Sequence, residues 1–133
     1  MRLIRIINVV HYDHRKQRFA SLAFKNSTGG GISVISQECI LEQGRTVCHH
    51  IKTFYPPPTS SEPAIFWALE ENSLPTGYRL EQQPSTSSDI CHYNIEGVAD
   101  KSARALMIRC QLHEFQICEN GTSHTLTTED LIS

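Results

Sequence analysis

No apolar run in the chain comes near the roughly 18 residues that a helix needs to cross a bilayer. The stretch nearest the N-terminus, Leu3 to Val10, has no small-residue cleavage site of the secretory kind, so a cytoplasmic protein without membrane contact is expected. Zinc-ligand spacing is also missing. There is no C-x2-C or H-x3-H pair, and the nearest approaches, His11 with His14 and Cys110 with His113, have no partner motif, so neither metal nor cofactor is expected. The glycines of Asn26-Ser27-Thr28-Gly29-Gly30-Gly31 are not followed by Lys-Ser or Lys-Thr, which sets aside a phosphate-binding loop. Five cysteines, an odd number without regular spacing, argue against a disulfide framework and for reduced thiols.

What is present fits one α+β domain over residues 1–133, because 133 residues with 39% hydrophobic content suffice for one core but hardly for two. Leu3 to Val10, rich in isoleucine and valine, reads as a buried first strand. An exposed connection over 11–18 leads to Phe19 and a returning strand through Leu22 to Phe24. Ile32 to Ile35 has strand composition, and Ser36 is placed to cap a helix over Gln37 to Gln43 that Gly44 stops. A second helix runs from Arg45 to Tyr55 and ends at Pro56-Pro57-Pro58. Strands are expected at Ala64 to Leu69, Tyr78 to Gln82 and Ile90 to Ile95, with a polar, serine-rich connection from Pro84 to Asp89. Asp100 caps a helix from Lys101 to about His113, and Asn120-Gly121 marks a hairpin between Phe115–Cys118 and Thr122–Leu126. The sum is a mostly antiparallel sheet with two principal helices packed on it, in an order the sequence does not state.

Two helical wheels point beyond local structure. With about 100° per residue, Val47, Ile51, Phe54 and Tyr55 form one stripe, which leaves Cys48 and His50 at its edges and His49, Lys52 and Thr53 facing away. An edge histidine is the kind that is both desolvated and reachable. The 101–113 segment has two apolar faces, and Ala105, Ile108 and Leu112 on the second suggest a protein partner or a homodimer.

Charge divides the chain more than its net value of -2 implies. Residues 1 to 25 carry six cations against Asp13 alone, whereas Cys110 to Ser133 has four acids and neither lysine nor arginine. Within the basic region, Tyr12, Arg15, Lys16, Arg18 and Phe19 place cations among aromatics, a composition suited to phosphate contact with stacking on unpaired bases. The expected function is therefore a small binding or accessory protein without its own active site, which contacts an anionic partner such as nucleic acid through the 11–19 connection. The alternative is a metal-independent nuclease or nucleotide-processing enzyme in which His11, His14, His50 and His92 supply acid and base.

Overall fold

A computed structural model of the chain describes residues 1–16, 18–19, 32–59, 62–74, 77–82, 89–97 and 115–131. Strand β1 (Arg2–Ile7) is followed by a 3-10 turn at Val9–His11 and a two-residue ladder of β2 (Tyr12–Asp13) with β3 (Arg18–Phe19). Then come β4 (Ile32–Ser36), helices α1 (Gln37–Glu42) and α2 (Val47–Phe54), β5 (Ala64–Glu70), β6 (Arg79–Gln82), β7 (His92–Glu96), β8 (Phe115–Glu119) and β9 (Thr122–Thr125). Seven strands form one antiparallel sheet in the order β6-β7-β4-β1-β5-β8-β9, an α+β domain as the sequence implied. Among the described residues no helix is long and apolar enough to cross a membrane.

Local chemistry fixes the element ends. The Ser36 hydroxyl accepts the Cys39 N–H at 3.2 Å and starts α1, and the Thr46 hydroxyl accepts the His49 N–H at 3.1 Å and starts α2, two residues after the expected Arg45. In the β8–β9 turn, Asn120 and Gly121 both take positive φ, 54° and 84°, as a type I′ hairpin requires. Gly97, at φ +82°, ends β7 where a Cβ would stand 2.6 Å from the Gly77 carbonyl oxygen, so a side chain there would displace the backbone. Ala64–Glu70, with its β-branched and aromatic residues, is fully a strand and pairs along all of β1.

The register sorts side chains onto two faces. Ile4, Ile35 and Phe66 meet Ile40 of α1 and Cys48 and Ile51 of α2, while Leu3, Ile7, Val34, Ile65 and Phe115 belong to a second cluster on the opposite face. Period two along each strand makes the division automatic.

The expectation of reduced thiols is corrected here. Cys39 of α1 is joined to Cys91, which precedes β7, and Cys48 of α2 is joined to Cys118 of β8. Because β7 and β8 lie on opposite sides of the central β1, the two bonds tie the helical layer to both flanks of the sheet. The expected helix at 101–113, with Ala105, Ile108 and Leu112, lies outside the described residues, as does the segment from Leu22 to Phe24.

Candidate functional site

The basic connection is a short hairpin whose turn is set by one carboxylate. Asp13 Oδ1 accepts the backbone N–H groups of Arg15 at 2.9 Å and Lys16 at 3.2 Å, the Asx-type arrangement that favours aspartate at a turn. That negative charge is thus turned toward the backbone. The side chains of His14, Arg15 and Lys16 are exposed, and neither Arg15 nor Lys16 belongs to an ion pair among the described residues. Tyr12 departs from its expected role, since it is buried in the sheet's apolar cluster, with the His14 ring edge-on at 4.9 Å. A ring so enclosed is not open to stacking on a base. The Arg18 and Phe19 side chains lie outside the described set; their backbones pair with Asp13 and Tyr12.

A different group of polar side chains sits beneath α2. His50 is 0% exposed, and its Nε2–H donates to Asp89 Oδ2 at 3.0 Å. The Tyr55 hydroxyl donates to the same oxygen at 2.5 Å, and the Cys91 N–H donates to Oδ1 at 2.9 Å. Burial by itself would raise the Asp89 carboxyl, but the hydrogen bonds from Tyr55, His50 and Cys91 outweigh it and hold the group below its ordinary range. A histidine acting as acid or base must present its second nitrogen to substrate. Here Nδ1 is enclosed without a hydrogen-bond partner among the described residues, and the ring lies 4.7 Å from that of Phe54, so His50 is a core residue rather than a reachable edge.

The other histidines have separate settings. His92, half-buried on β7, shares a 2.5 Å hydrogen bond with the Ser33 hydroxyl across to β4. Arg5 Nη1 donates to the Ser33 carbonyl at 2.9 Å, and burial pushes its guanidinium down from its ordinary range. Ser33, Arg5 and Tyr55 border a cavity of about 170 Å³ that, among the described residues, Ile4, Ile6 and Ile35 also line. His11 closes the 3-10 turn through its N–H to the Asn8 carbonyl. Each of the four histidines proposed from the sequence is thus held in its own setting, and of the four only His14 is exposed.

A larger groove of about 510 Å³ opens where α2 begins beside the β8–β9 turn. Cys48 and Cys118 both line it, together with His49, Lys52, Glu62 and Glu119. The wheel correctly turned His49 and Lys52 outward, but nothing local could show that Cys48 would face a partner in β8. Among the described residues no three His, Cys, Asp or Glu side chains are grouped to hold a metal ion. No family model, curated protein or solved structure matches the chain.

Proposed function

We propose that the protein is a small binding or accessory protein without a catalytic site of its own, and that it meets an anionic partner through the His14-Arg15-Lys16 tip. The observation that carries this reading is the way Asp13 uses its carboxylate on backbone N–H groups while the neighbouring cationic side chains stay in solvent. Two exposed cations on a fixed turn attract phosphate or sulfate groups chiefly by charge, with affinity that falls steeply as salt rises. The two disulfides favour an oxidising compartment over the expected cytoplasm. The nuclease alternative is weakened by His50, whose burial against Asp89 removes one of its four candidates from reach.

The experiment is a titration of single-stranded RNA and DNA, and of a sulfated polysaccharide, at low and moderate salt. Binding should weaken with salt and should weaken again in an Arg15→Ala, Lys16→Ala variant, with a shallower salt slope. No detectable binding of any of the three at low salt would refute the reading. Association through Ala105, Ile108 and Leu112 with a protein or a second copy remains part of the proposal from the helical wheel. A folded Ile108→Glu variant that no longer associates is its expected outcome.

A further inference from the structure

The two disulfides differ in what surrounds them. Cys39–Cys91 pairs a half-buried Cys39, in the first turn of the six-residue α1, with a fully buried Cys91, and it lines neither of the cavities described above. Cys48–Cys118 lines the 510 Å³ groove with both of its residues, and Cys118 is the more exposed of the two. Cys48 stands in the first turn of the eight-residue α2, after the Thr46 cap, and Lys52 follows four residues later on the same side and also lines the groove. His49 lines it as well. A sulfur leaving as thiolate at Cys48 would face the positive end of the helix and a nearby ammonium, both of which favour the charged form.

We propose that Cys48–Cys118 is an exchangeable disulfide which accepts a thiol entering the groove. An incoming thiolate attacks Sγ of Cys118. A new S–S bond forms there, the Cys48–Cys118 bond breaks, and its electron pair leaves on Cys48 Sγ, where helix and Lys52 stabilise it. A second thiol then attacks the mixed disulfide and releases Cys118 as thiolate, so that two thiols are oxidised to one disulfide while one protein disulfide is reduced. The exchange is stoichiometric and gives a binding protein a covalent, redox-reversible hold on a thiol-bearing partner. It does not depend on the basic tip, and loss of polyanion binding would leave it untouched.

The test uses the native protein. It is incubated with glutathione in one arm and a short cysteine-bearing peptide in the other, quenched in acid, alkylated and peptide-mapped by mass spectrometry. In at least one arm Cys48–Cys118 should open about tenfold or more faster than Cys39–Cys91, with the adduct on Cys118 and the alkyl label on Cys48. The faster arm identifies a small thiol or a polypeptide as the source. Lys52→Ala, a change at an exposed position, should slow the opening about threefold or more while Cys39–Cys91 opens at its former rate. Opening of both disulfides at one common rate, earlier opening of Cys39–Cys91, an adduct on Cys48, or an unchanged rate in Lys52→Ala would each overturn the proposal.

Discussion

The two faces of the sheet are held by different physics. Opposite the helices, Leu3, Ile7, Val34, Ile65 and Phe115 form a large apolar cluster of buried side chains. Under the helices the apolar layer is thinner, because α1 and α2 have only six and eight residues and bring Ile40 and Ile51 as their fully buried apolar side chains. Helices this short are marginal by themselves. Their layer is completed by two disulfides and by the buried Asp89 with its three donors. Where side-chain area cannot hold an element, long-range covalent and charged ties do so.

The largest loss of stability is expected on the apolar face. Phe115→Ala removes the largest fully buried side chain among the described residues and should cost about 3–5 kcal/mol, read as a lower urea midpoint at unchanged slope. Next comes the covalent tie: removing Cys39–Cys91, whose ends are 52 residues apart, with paired alanines should cost about 2–4 kcal/mol, measured in the same way.

The charged tie should cost somewhat less. Asp89→Asn weakens hydrogen bonds to an ionised acceptor and is expected to lose about 1.5–3 kcal/mol at neutral pH. Because the folded carboxyl lies below its ordinary value, its contribution is fully present above the unfolded value of about 4 and is lost as pH falls through the folded one. The acid limb of the native stability curve should therefore be steeper than that of Asp89→Asn, and identical limbs would remove Asp89 from the helical layer's support. The smallest effect belongs to the basic tip, where Arg15→Ala with Lys16→Ala should change stability by less than about 0.5 kcal/mol while lowering polyanion affinity.

How much of this was readable beforehand follows the same division. Strands β4 and β5, the β8–β9 hairpin and the start of α1 were legible, since β-branched runs, Asn-Gly and the Ser36 hydroxyl act over a few residues, whereas α2 starts at Val47 after the Thr46 cap, two residues past the expected Arg45. The disulfides were not, because Cys39 meets Cys91 and Cys48 meets Cys118 only once the sheet order is fixed, and no local pattern states that order. Asp89 closed a serine-rich stretch that reads as solvated, and its burial depends on Tyr55 and His50 arriving from another element. His50 sat at a stripe edge on the wheel, and whether an edge is open or covered is decided by what packs over it. Tyr12 misled for a similar reason, as its basic neighbours suggested exposure while the ring turns into the core.

The most direct test of two faces held by different means is hydrogen exchange on the oxidised and the fully reduced protein. The account predicts that reduction strips protection from amides of α1 and α2, over Gln37–Glu42 and Val47–Phe54, while the central strands Arg2–Ile7 and Ala64–Glu70 keep most of theirs. Equal loss in helices and central strands, or helices as protected after reduction as before, would contradict it.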